Sequence, residues 1–368
     1  MTDPRIKKLA YVLLHYSCNV KRKQHVKLIG DVQSIPLIKE LYKEALAMGA
    51  YPYTKLMVDD LTEIFFKNAN NDQLTYISPM DRYEVDKVDA LVFTRASSNT
   101  RALTGTDPKK QAISQKARGK LNQRFHKRAA AGELSWVLTQ FPTNASAQDA
   151  NMSLSDYEDF IYGACMVDKK DPIAAWKKMS AYNKKLIKYL RRRKEIHIVA
   201  PDTDLTFNVA GRKWINCDGD NNFPDGEVFT APVENSANGH IHFSFPAVYG
   251  GREVTDVRIE FKNGKAVKAT AASGGDFLNA MLNMDKGARY LGEVAIGTNF
   301  GIQQFTRNIL YDEKIGGTHH MALGNSYPES GGKNKSALHW DMICDLRSKD
   351  ACMYADGQLF FRNGKFLK

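Results

Sequence analysis

In the run Ser336-Ala337-Leu338-His339-Trp340-Asp341-Met342-Ile343, strand alternation puts His339 and Asp341 on one face and Leu338, Trp340 and Met342 on the other. Two candidate metal ligands therefore leave one strand in the same direction. Upstream, the glycine-bounded apolar segment Gly316 to Gly324 carries the adjacent histidines His319 and His320. An extended backbone sends neighbouring side chains to opposite faces, so only one of the two can join a shared site. Glu227, in Pro224-Asp225-Gly226-Glu227-Val228-Phe229-Thr230, and Glu293, in Tyr290-Leu291-Gly292-Glu293-Val294-Ala295, each lie at or inside an apolar strand-like run. A lone carboxylate there is costly unless something positive meets it. Mixed Glu, Asp and His donors suit a hydrolytic centre of divalent ions better than a structural zinc site, which favours cysteine-rich closure. Two close-set ions bridged by carboxylate lower the pKa of water, polarise a carbonyl and steady an oxyanion, so amide hydrolysis is the chemistry of this set.

From the residues alone, other readings stay open. Glu227 and Glu293 fit buried salt bridges as well as a metal centre, and His339 with Asp341 fits a hydrogen-bonded pair. His240-Ile241-His242 also places two imidazoles on one strand face, yet nothing acidic flanks it closely in sequence, which favours a surface pair. Three other motifs fail. Gly331-Gly332-Lys333-Asn334 lacks the spacing and the Ser or Thr of a phosphate loop. Gly324-Asn325-Ser326-Tyr327-Pro328 has proline where a nucleophile elbow needs its second glycine. No His-Glu-x-x-His helix is present.

The elements that must position these residues fall into two textures. Up to about residue 195, apolar runs alternate with amphipathic segments: Lys27 to Gly30, a helix over Ile35 to Met48, Tyr53 to Val58, Ala90 to Thr94, Trp136 to Thr139, and a long helix from Pro172 to Arg193. This alternation predicts an α/β domain over 1–195 with a mainly parallel sheet. From 196 to 368 short strands separated by Gly, Asn and Asp predict a β-rich α+β domain, interrupted by a helix from Gly275 to Lys286. Lys262-Asn263-Gly264-Lys265 between two strand-like runs is a hairpin signal.

At 368 residues and 43% hydrophobic, the chain is long enough for two cores. Tyr11-Val12-Leu13-Leu14 is too short for a secretory core and no run approaches membrane-spanning length, so a cytoplasmic location away from membranes is expected. The five cysteines, odd in number and without Cys-x-x-Cys spacing, imply neither a disulfide framework nor a thiolate zinc site. The net charge of +11 is concentrated in two acid-free helical segments, 109–128 and 177–194. Solvated faces explain them most simply. A nucleic-acid-binding protein using these helices, its metal site being structural, is the alternative from another class, although stacking aromatics are sparse in them.

The sequence resembles the thermophilic metallo-aminopeptidase family, of the aminopeptidase T and aminopeptidase S type, over nearly its full length. The motifs are Trp214-Ile215-Asn216-Cys217-Asp218-Gly219, Pro224 to Pro232, Ala288-Arg289-Tyr290-Leu291-Gly292-Glu293, Leu310-Tyr311-Asp312-Glu313, His320 to Gly324, Tyr327-Pro328 and His339-Trp340-Asp341, in family order. The resemblance implies that Glu227, Glu293, His320, His339 and Asp341 hold two divalent metal ions, zinc or cobalt, with magnesium or manganese as further candidates. It also implies Tyr327 as the tyrosine lining the site, Glu227 and Glu293 as the carboxylates serving catalysis, peptides as substrates, a homodimer, and catalysis in the 196–368 domain. His319, where the family has a small residue, and a short Pro328 to Ser336 loop are the departures.

Overall fold

Four of the apolar runs in the first half of the chain become strands of a parallel sheet. Its order is Tyr51–Met57, His25–Asp31, Ala90–Arg95, Ser135–Gln140 and the short Asn222–Phe223. The connecting helices follow the expected periodicity. Ile35–Ala47 opens with a proline in its first turn, where no amide donor is needed, and buries Leu37, Ile38, Leu41 and Ala45. The computed structural model describes residues Asp3–Lys368. They divide into two compact units, the first being the chain to Ile173 with Gly219–Phe223, the second Ala174–Asp218 with Pro224–Lys368. The change in sequence texture at 195 thus lies about one helix beyond the change of unit. The helix Pro172–Leu190 starts near the end of the first unit, but its Leu186 and Leu190 belong to the core of the second.

The second unit is antiparallel. One sheet has eight strands in the order Lys265–Thr270, Val257–Lys262, Asn238–Phe243, Thr203–Asn208, Glu195–Ala200, Cys352–Ala355, Gln358–Arg362 and Lys365–Phe366. A five-stranded sheet runs His339–Asp345, Thr318–Gly324, Leu291–Gly297, Glu227–Thr230 and Ile215–Cys217. Phe207, Phe243, Ile259 and Phe361 of the first join Val228, Val294, Met321, Trp340 and Met342 of the second in one buried cluster. The Asn-Gly hairpin forms as expected, with Asn263 at φ 50° and Gly264 at φ 81°. A side chain at Gly264 would stand 1.9 Å from the Glu234 carbonyl, so only glycine fits. The expected helix from Gly275 to Lys286 stops earlier, at Leu282, because the Asp285 carboxylate accepts from the Gly287 and Ala288 amides and turns the chain.

The two basic segments differ from their appearance in sequence. Pro108–Ala130 is one helix, and its cations meet acids from other segments: Arg118 with Asp81 at 3.3 Å, Arg124 with Asp86 at 2.8 Å, Arg128 with Glu133 at 3.2 Å. The second ends as a helix at Leu190, so Arg191 to Lys194 lie beyond it. Among the described residues no helix is long and apolar enough to cross a membrane.

Candidate metal centre

Four strands of the five-stranded sheet carry the site. Leu291–Gly297 and Thr318–Gly324 are buried along their whole length, so the side chains on both faces are shielded from water. On that scaffold Glu293 is registered beside Ala322, and Ala322 beside Asp341. Glu227, at the start of its strand, pairs with Gly297. The preceding Gly226 has φ 121°, and its missing side chain would lie 2.7 Å from Asn299 Cβ and 2.9 Å from Met179 Sδ. A tight left-handed turn thus aims Glu227 into the sheet, while Asn183 Nδ2 donates to its backbone carbonyl at 3.2 Å.

All five residues named as metal ligands from the sequence come together. His320 Nε2 lies 3.2 Å from Glu227 Oε2 and 3.5 Å from Glu293 Oε1. His339 Nε2 lies 3.7 Å from Glu293 Oε2 and 3.5 Å from Asp341 Oδ2. Leu338, Trp340 and Met342 point the other way into the core, as strand alternation requires. His339 Nδ1 donates to the Asn325 carbonyl at 2.8 Å, which assigns a proton to that nitrogen and orients the ring so that Nε2 faces the carboxylates. Tyr327 stands at the edge, its ring 4.9 Å from that of His339 and 5.6 Å from that of Phe229.

The adjacent histidines separate as the extended backbone demands. His319 turns away from the carboxylates and stacks against Phe207, with neither ring nitrogen in hydrogen-bond geometry. Burial and the neighbouring His320 charge hold its pKa down at about 3, so it is neutral. His320 is displaced oppositely. Burial alone would lower it, but contact with Glu293 and the charges of Glu227 and Asp341 raise it to about 9. Burial also raises Glu293, and it holds the phenol of Tyr327 protonated well above its ordinary range.

Four neighbours did not appear among the sequence candidates. Glu313 shares a donor group with His320 and Asp341, the ligand atoms all within 4.8 Å of one another, and burial raises its pKa to about 8. Lys314, fully buried, donates to Glu313 and lies 3.7 Å from Glu227. Burial opposes its charge, yet Glu227, Glu313 and Asp225 raise its pKa well above the ordinary value. Cys217 and Asp225 gather on the same side of Glu227. The charged triplet Asp312-Glu313-Lys314 between apolar Tyr311 and Ile315 is the signal that marks two of these residues in sequence. His240 and His242 stay outside: His242 pairs with Asp256 at 2.7 Å, and neither joins a donor group of three.

The donors fit divalent metal. Glu227 Oε2 and His320 Nε2, which face each other, are buried without a hydrogen-bond partner, atoms that a coordinated cation would satisfy. Glutamate, aspartate and imidazole groups converging on a buried sheet define a metal-dependent hydrolase. The profile of the thermophilic metalloprotease (M29) family matches residues 2–366, and the chain belongs to that family. It is 26% identical to aminopeptidase 2 of Geobacillus stearothermophilus over 99% of this chain and 98% of the relative. It is 27% identical to aminopeptidase T of Thermus thermophilus over 96% and 95%. The solved structure of wild-type AmpT from Thermus thermophilus superposes with a TM-score of 0.83, covering 99% of both chains at 24% identity, a likeness of fold. These matches lend no support to the nucleic-acid alternative.

Proposed function

We infer that the protein is an aminopeptidase releasing N-terminal residues from peptides at a centre of two divalent ions held by Glu227, Glu293, His320, His339 and Asp341. The observation that carries this reading is the placement of Glu293. Its Oε1 faces His320 and its Oε2 faces His339, so one carboxylate belongs to two donor groups. A carboxylate so shared would serve as a ligand to both ions. When bound, zinc, cobalt or another divalent ion supplies Lewis acidity at the scissile carbonyl and lowers the pKa of the attacking water. Glu227 and Glu293 are the carboxylates assigned to catalysis in this reading, and Glu313 forms a further donor group with His320 and Asp341. Tyr327, held protonated, offers its O–H to the developing oxyanion.

Exopeptidase direction is supported by the relatives, each named an aminopeptidase. A peptide and its N-acetylated form, assayed after chelation and after return of zinc or cobalt, test the whole reading. Hydrolysis should vanish with the metal, return with it, and require the free α-amino group. Full activity in verified metal-free protein, or equal turnover of both peptides, overturns it. A cytoplasmic location and a homodimer complete the proposal. The exposed apolar residues Leu56, Val58, Leu61, Ile64 and Phe65 offer surface for self-association, and sedimentation as a monomer at micromolar concentration excludes the dimer.

A further inference from the structure

The carboxylate cluster already contains a cation. Lys314 has no exposed side-chain surface, donates to Glu313, and lies 3.7 Å from Glu227 Oε1 and 4.0 Å from Asp225 Oδ1. Those two acids form a donor group with Cys217, the three ligand atoms within 4.8 Å of one another. Glu227 divides the two sides, Oε1 toward Lys314 and Oε2 toward His320. A thiol and two carboxylates make a ligand set suited to zinc or cobalt, yet a buried ammonium ion stands against it.

We propose that the Lys314 ammonium is a built-in substitute for a divalent ion at a third cation position, Cys217-Asp225-Glu227, and that it confines exchangeable metal to the His320 side of Glu227. The inference rests on the two-ion reading above. Lys314 is then a positioning residue. By holding Oε1 it leaves Oε2 directed at His320, and it offsets part of the buried negative charge of Asp225, Glu227 and Glu313. Were the ammonium removed, the same pocket would draw a divalent ion. The Cys217 thiol would release its proton to solvent as the metal–sulfur bond formed.

Cobalt(II) titration of chelated, dialysed full-length protein tests this, reading bound metal per chain and the thiolate-to-cobalt charge-transfer band in the near ultraviolet. Wild-type protein should bind cobalt without that band. Lys314→Met, which keeps length and removes charge, should bind one further equivalent and show the band. Cys217→Ser in the Lys314→Met background should abolish the band, and Lys314→Arg should behave as wild type. If Lys314→Met is unfolded in chelator, cobalt must restore both the fold and the band, because the ion replaces the ammonium. A band in wild-type protein, unchanged stoichiometry in a folded Lys314→Met, or a Lys314→Met that stays unfolded in cobalt overturns the proposal. Wild-type protein that takes up no cobalt overturns the two-ion reading by itself, and Lys314→Met still decides this one.

Discussion

Two neighbouring imidazoles show how far a single residue's surroundings set its chemistry. His320 faces Glu227 and Glu293, whereas His319, one position earlier, stacks against Phe207 in the core. His320→Ala should abolish hydrolysis and lower bound metal. His319→Leu should leave metal stoichiometry intact and raise the melting temperature, because it replaces a buried polar ring without hydrogen bonds, a gain of about 1 kcal/mol. The reverse pattern would exchange the two assignments. A second expectation concerns the chelated protein. His320 titrates at about 9 when folded against 6.5 ordinarily, so the stability it contributes is full below pH 6.5 and is lost as pH rises through 9. Glu313, raised from 4.5 to about 8, acts in the same direction because the fold favours its neutral form. The chelated protein's melting temperature should therefore fall from pH 6.5 to 9, while metal affinity climbs as the imidazole is freed of its proton. A melting temperature that rises across this window would exclude a protonated His320.

At the scale of elements, the site depends on how its strands are entered. The turn at Gly226, with φ 121° and Asn299 Cβ 2.7 Å from any added side chain, delivers Glu227 to the sheet. Gly226→Ala should cost about 1–3 kcal/mol through backbone strain and clash, and should lower bound metal by moving Glu227. Gly105→Ala, where a side chain meets nothing within 4 Å, is the matched control and should change neither. Equal melting temperatures and metal contents for both variants would show that the Gly226 turn does not position the ligand. Strand boundaries were legible in sequence where the pattern was strong. Val257–Lys262 and Lys265–Thr270 flank the Asn-Gly turn as anticipated. The helix ending at Leu282 was not, because its stop comes from the Asp285 side chain taking two amides, a contact no periodicity displays.

For the whole molecule, a net charge of +11 invites a nucleic-acid role that the folded chain weakens. Arg118, Arg124 and Arg128 are matched by Asp81, Asp86 and Glu133, so the acid-free segment is not an acid-free surface. Affinity for DNA or RNA, followed by fluorescence anisotropy, should be weak at physiological salt. Tight binding with a steep dependence on salt would restore the alternative.

The sequence by itself determined what depends on local period: the shared face of His339 and Asp341, the opposed directions of His319 and His320, the hairpin at Asn263-Gly264 and the alternation behind the parallel sheet. Each follows from the two-residue repeat of a strand or from turn chemistry, and neither needs knowledge of distant neighbours. Only the tertiary structure decided which carboxylates meet which imidazoles. Glu227 and Asp341 stand more than a hundred residues apart and are joined through strand order and register, with Glu293 and His320 between them. The same convergence brought Glu313, Lys314, Asp225 and Cys217 to the site. A buried lysine reads as an ordinary surface charge in sequence, because the acids that keep it charged belong largely to another segment of the chain.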